Sequence, residues 1–196
     1  MSSAGKQVND LFLEVTATGS MKAYEQLYHL VCSRLIHFSA SICGSFHLAE
    51  EVVSDVFVSI WQKRGQLTGV ENPKVYLYVC TKNRTINAMK KKQLHVVPFD
   101  TFYTDALSIV PDVEEHLLSS QVARKIETAI SSLPPRCQLI FRLIKMDGLQ
   151  YKEVAELLDI SSKTVDAQLT IAVKRVADTI RLDMSDELIA DFLRSK

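Results

Sequence analysis

Ser162, Lys163, Asp166, Ala167, Thr170 and Lys174 recur at three- and four-residue spacing. On a helix they would share one face. That face carries short polar groups, one carboxylate and two ammonium groups, with Thr164 near its start. Short side chains let a helix approach another surface closely. An ammonium group pairs with phosphate, and a carboxylate accepts from the amino group of cytosine. The chemistry suits the groove of a nucleic-acid duplex.

A second group lies between Glu71 and Asp100, an interval with no acidic residue inside it. It holds Lys74, Lys82, Arg84, Lys90, Lys91 and Lys92, with Asn83, Asn87, Tyr76 and Tyr78. Asn83, Asn87 and Lys90 or Lys91 fall on one helical face. Amides can pair with base edges, whereas lysines act on phosphates as point charges. Tyr76 and Tyr78 lie near enough to support an unstacked base, but helix packing is the expectation for each. A third group, Glu50, Glu51 and Asp55, sits on an otherwise apolar amphipathic stretch that leads to Trp61. It suits either a solvated face or a protein contact, with Trp61 expected in the core.

Helices must position these groups. Leu27, Val31, Leu35 and Phe38 keep a helical period, as do Val52, Val53, Val56, Phe57 and Ile60, and then Leu77, Cys80 and Ile86. Breaks fall at Gly44, at Gly65 to Gly69 and at Asn72-Pro73. The spacing predicts three main helices up to Lys92, with a short leading one. From Gln93 to about Ser119 the period dissolves, and Pro98, Pro111 and five acidic residues mark a linker. Its Val96, Phe99 and Phe102 make it more apolar than a free tether. A second helical half follows, to about Leu182. Pro134-Pro135 suits a first helical turn and Gly148 a helix end. Val154, Ala155 and Leu158 form one inner stripe; Val165, Leu169, Ala172, Val173 and Val176 form another. Asp159-Ile160 makes the corner between them, where Asp tolerates a left-handed backbone. Ser161 is a good N-cap. This is helix-turn-helix logic, although an ordinary helical hairpin would show the same stripes. The tail suggests one more short helix through Met184, Leu188, Ile189 and Phe192.

The whole chain agrees with an all-α protein of two small helical domains joined by a linker. The expected boundaries are residues 1–92, 93–119 and 120–182, with a tail at 183–196. Of 196 residues, only 6 are glycine and 5 proline, and no sustained period-two alternation occurs. Lys and Arg number 23, as do Asp and Glu, so non-specific coating of nucleic acid is not expected. Cys32, Cys43, Cys80 and Cys137 lack zinc-like spacing and sit among apolar residues, as reduced thiols do. No Gly-rich phosphate loop or nucleophile–base spacing is present, and neither His47 with Glu50 nor Glu114-Glu115-His116 completes a metal motif. The expectation is a protein without catalytic residues, metal or cofactor. The N-terminus lacks a signal-peptide core, and a cytoplasmic location is expected.

The run LPPRCQLIFRLIKMDGLQYKEVAELLDISSKTV resembles the C-terminal promoter-reading domain of bacterial sigma factors of the extracytoplasmic-function type, over Ser132 to Val176. Helix-turn-helix tails of response regulators are similar, but those proteins carry a receiver domain of alternating strands and helices. Here YEQLYHLVCSRLIHFSASICGSFHLAEEVVSDVFVSIWQKR resembles the first conserved domain of the same sigma family, and ENPKVYLYVCTKNRTINAMKKK the segment that reads and opens the −10 element. The resemblance implies −10 contacts by Lys82, Asn83, Arg84, Asn87, Lys90, Lys91 and Lys92. It implies −35 contacts by Ser162, Lys163, Thr164, Asp166, Ala167, Thr170 and Lys174. Glu50, Glu51, Asp55 and Trp61 would dock on core RNA polymerase. Implied partners are the polymerase, promoter DNA and an anti-sigma factor, often membrane-bound. The chain departs from the family at Asp166 and Ile171, where basic residues are common, and at Asp159 in place of a corner glycine. An acidic residue at 166 resembles a subgroup common in Bacteroidetes. Two other readings remain open: a stand-alone helix-turn-helix regulator, and an adaptor that binds polymerase or an inhibitor without reading DNA.

Overall fold

A computed structural model describes residues 3–92 and 120–181. The linker at 93–119 and the tail helix through Met184, Leu188, Ile189 and Phe192 lie outside the described residues. Contacts divide the chain into two units, Met1–Ala106 and Leu107–Lys196. Helices build the described part of each, and it contains no strand.

The first unit holds α1 (Ser3–Thr18), α2 (Met21–Cys43), α3 (Phe46–Lys63) and α4 (Pro73–Lys91), with a 3-10 turn at Arg64–Gln66. Local chemistry sets the helix ends. Ser20, Ser45 and Asn72 each accept from a backbone N–H three residues on, at Ala23, Leu48 and Val75. Pro73 occupies the first turn of α4. Gly44 ends α2 with φ 68°, and its N–H reaches the Ala40 carbonyl at 2.8 Å. The leading helix is not short. α1 has 16 residues and buries Val8, Phe12 and Val15 against the rest of the unit. Leu27, Leu35, Phe57, Ile60 and Leu77 complete a core closed to solvent.

The phase of α4 differs from expectation. Cys80 and Ile86 are only half-buried, and the inward stripe is Leu77, Tyr78, Thr81, Thr85 and Met89. Two threonines can face the core because their hydroxyls are satisfied within the helix. Thr81 Oγ1 donates to the Leu77 carbonyl and Thr85 Oγ1 to that of Thr81, both at 2.8 Å. Thr85 Oγ1 also lies 2.8 Å from Ser39 Oγ on α2. This polar seam ties α4 to α2 with no orphaned hydroxyl.

The second unit holds α5 (Ser120–Ser131), α6 (Pro135–Phe141), α7 (Tyr151–Leu158) and α8 (Ser162–Arg181). α6 runs into a π turn, Arg142–Met146, closed by the Asp147 N–H on the Arg142 carbonyl at 2.9 Å. Gly148 then takes φ 68° and turns the chain toward α7. Ile130, Ile140, Phe141, Leu143, Val154, Val165, Ala172 and Val176 make the core. An ion pair between Arg142 and Glu127 joins the π turn to α5.

Candidate nucleic-acid interface

In the second unit the helix pair is built as its residues require. Gln150 opens α7, and its backbone N–H donates to the Glu153 carboxylate at 2.7 Å, one half of a capping box. Asp159 ends α7 at φ 57° and ψ 48°, the left-handed conformation expected of the corner. Ser161 Oγ then accepts from the Thr164 N–H at 3.0 Å and starts α8. Val154, Ala155, Leu158, Val165, Leu169, Ala172 and Val176 are buried, and Val173 is half-buried. Ser162, Lys163, Asp166, Ala167, Thr170 and Lys174 are all exposed. Thr164 behaves differently: it is half-buried and its hydroxyl lies 2.8 Å from Ser161 Oγ, so it serves the cap. Cys137 Sγ donates to Gln168 Oε1 at 3.1 Å, linking α6 to the flank of α8. Thr170 and Lys174 share an open recess of about 470 Å³ with Lys145 and Tyr151, which the sequence reading did not single out. Tyr151 was legible only as an aromatic at a helix start.

In the first unit α4 presents Asn83, Asn87, Lys90, Lys91 and Lys92 to solvent, with Lys82 and Arg84 half-buried. Asn83 and Asn87 line an open recess of about 220 Å³ with Tyr76, Cys80, Arg84 and the α3 residues Val56, Ser59 and Ile60. It is a notch between two helices with amides on its rim. Tyr78 is buried and meets Phe38 edge-on at 5.1 Å. Tyr76 meets Phe12 at 5.9 Å, and burial, then its hydrogen bond with Cys80, push its phenol up to about 12. Burial raises all four thiols as well, so they stay protonated near neutral pH.

The acidic trio of α3 is not one patch. Glu51 Oε2 accepts from Lys92 Nζ at 3.0 Å, and His47 lies 3.3 Å from the other oxygen. Asp55 meets Arg84 at 3.2 Å. These two carboxylates face α4, and the hydrogen bond and charge of Lys92 hold Glu51 below the usual glutamate value. Glu50, one residue away, is exposed, and its charge adds a last, minor push to the thiol of Cys32 and the phenol of Tyr28 on α2. The same strip of α3 carries Ser54, Phe57 and Val58. With Met21, Tyr24, Glu25 and Tyr28 of α2 they line an open groove of about 430 Å³. Met21 is 59% exposed and Val58 51%. Trp61 continues this edge and is half-buried, not a core residue. It meets Tyr24 edge-on at 5.1 Å, while the Arg64 guanidinium stacks 4.4 Å from its ring. Spacing could not show that Phe57 serves core and groove together.

Residues 23–95 match the family described as Sigma-70 region 2, and residues 123–176 that described as Sigma-70, region 4. The chain is 20% identical over 181 residues to the ECF RNA polymerase sigma factor SigE of Mycolicibacterium smegmatis (strain ATCC 700084 / mc(2)155), covering 87% of this chain and 67% of that one. Its fold is similar to that of the sigma factor RpoE from Bartonella quintana, solved in complex with the anti-sigma factor NepR. The TM-score is 0.51 at 18% identity, over 84% of this chain and 100% of the other.

Proposed function

Since the chain belongs to the sigma-70 family, in its extracytoplasmic-function type, it binds core RNA polymerase and recognises promoters, and we propose how its residues divide that work. The observation that carries the reading is the notch beside Asn83 and Asn87. Exposed amides on a helix whose next turn is Lys90, Lys91 and Lys92 suit −10 DNA at the point of opening: the amides specify a base and the lysines hold phosphates. Arg84 and Lys92 carry less free charge, because Asp55 and Glu51 already face them. On α8, Lys163, Asp166, Ala167, Thr170 and Lys174, with Ser162, face the major groove of the −35 element, while Thr164 shapes the helix start. The domain limits follow the same division, at residues 1–92 and 120–182 on either side of a linker.

Polymerase docking falls on the α2–α3 edge. Glu50 and Trp61 belong to it, and the groove between Met21 and Val58 supplies apolar area. Glu51 and Asp55 act chiefly on α4. Catalysis belongs to the polymerase, so the chain itself needs no cofactor. The similar Bartonella quintana fold was solved with an anti-sigma factor, which supports a partner of that kind here. No helix among the described residues is long and apolar enough to cross a membrane, and the work proposed is that of a cytoplasmic protein.

Reconstitution tests the division. Core polymerase with the full chain should give promoter-selective transcripts. Asn83→Ala or Asn87→Ala should slow opening at particular bases while polymerase binding stays intact. Glu50→Arg should lower capture of core polymerase. Unchanged opening in both asparagine variants would refute the −10 assignment.

A further inference from the structure

Between Ser161 and Lys174, α8 carries no arginine. Arginine and lysine both grip guanine through its two acceptors, so within this stretch only Lys163 and Lys174 could read guanine. What it does expose is ordered. Lys163 and Lys174 lie at the two ends of the outward face. Between them run two adjacent strips, each one helical turn long. Asp166 and Thr170 make the polar strip; Ala167 and Ile171 make the apolar one. Ile171 is 42% exposed, more than a core side chain of this size leaves open. The lysines fit phosphates on either side of a groove. The apolar strip then faces its floor, where the one apolar feature of a base pair is the C5-methyl group of thymine.

We propose that α8 reads thymine in the −35 element through its methyl group, with Ile171 and Ala167 packing on the C5-methyls of two neighbouring thymines. Asp166, one step around the helix, accepts from the amino group of an adjacent cytosine or adenine. Ile171 is thus a specificity determinant. This inference rests on the −35 assignment of α8 above.

The test uses core polymerase reconstituted with the full chain and linear templates randomised over the −35 segment. Transcribed templates are resynthesised with uracil for thymine in that segment alone. Uracil keeps the base-pairing edge and loses only the methyl. At limiting holoenzyme, transcript yield should fall about fourfold per contacted methyl, the equivalent of ~0.8 kcal/mol for one buried methyl-sized group. Ile171→Ala should lose the thymine preference at one position and keep it at the other; Ile171→Val should keep both. Ile171 is exposed on the helix surface, so neither variant removes a core contact. Equal yields from thymine and uracil templates overturn the inference, as does an undiminished preference in Ile171→Ala. In both cases the −35 assignment stands, because transcription still selects a sequence. Absence of any template-selective transcript overturns the assignment and the inference together.

Discussion

Lys91 and Lys92 are adjacent at the end of α4, yet their surroundings differ enough to separate them by salt dependence. Both are exposed, but Lys92 Nζ lies 3.0 Å from Glu51 Oε2. A lysine on a duplex phosphate releases condensed counterions and adds about 0.9 to the slope of log affinity against log salt, or about 0.7 on a single strand. Lys91→Ala should therefore flatten the slope by roughly 0.7–0.9. Between roughly 50 and 200 mM salt, a change of ~0.9 means that the variant loses about 3.5-fold less affinity than wild type. Lys92 must share its charge between phosphate and Glu51. Lys92→Ala should flatten the slope by less than Lys91→Ala does, and Glu51→Gln should steepen it. The assay is equilibrium binding of reconstituted holoenzyme to labelled promoter duplexes over a salt series. Several promoter sequences are needed, since a phosphate contact should weaken all of them alike. An unchanged slope in Lys91→Ala would show that this end of α4 is only solvated. A larger effect for Lys92→Ala than for Lys91→Ala would refute the shielding by Glu51.

Asp166→Ala should relax preference at one −35 position by about 1–3 kcal/mol, measured by transcription competition between promoter variants; an equal loss on every sequence would make its role structural. Asp159→Val should destabilise the α7–α8 corner by about 1–2 kcal/mol, because a β-branched residue resists the left-handed backbone seen there, whereas Asp159→Gly should keep it. Hydrogen exchange of the α7 and α8 amides reads that difference. Glu51 should titrate below an ordinary glutamate by NMR, and Lys92→Gln should raise it. A depressed carboxylate stabilises the fold above its unfolded value and loses that contribution as pH falls through its folded value, so the pair matters at neutral pH and fades in acid.

The helix ends and the outward face of α8 follow from sequence because their physics is local. Ser20, Ser45, Asn72 and Ser161 cap through bonds spanning three residues, and Asp159 takes its left-handed turn beside a cap of the same kind. On α8 a strong apolar stripe marks the outward face: Ser162, Lys163, Asp166, Ala167, Thr170 and Lys174 are exposed, whereas Thr164 is half-buried in the cap. Pattern fails where a polar residue faces inward or one face must serve two neighbours. Thr81 and Thr85 are polar and break the apolar pattern, yet each bonds a carbonyl one turn back, so burial costs them little. That shifted the inward face of α4 away from Cys80 and Ile86. The acids of α3 read as one group, either a solvated face or a protein contact. Only the packing of α3 against α4 divides them, because Glu51 meets its lysine 41 residues away and Asp55 meets Arg84. Sequence determines which helices form and where they stop; which of their charges remain available to a partner is decided by contacts between residues far apart in the chain.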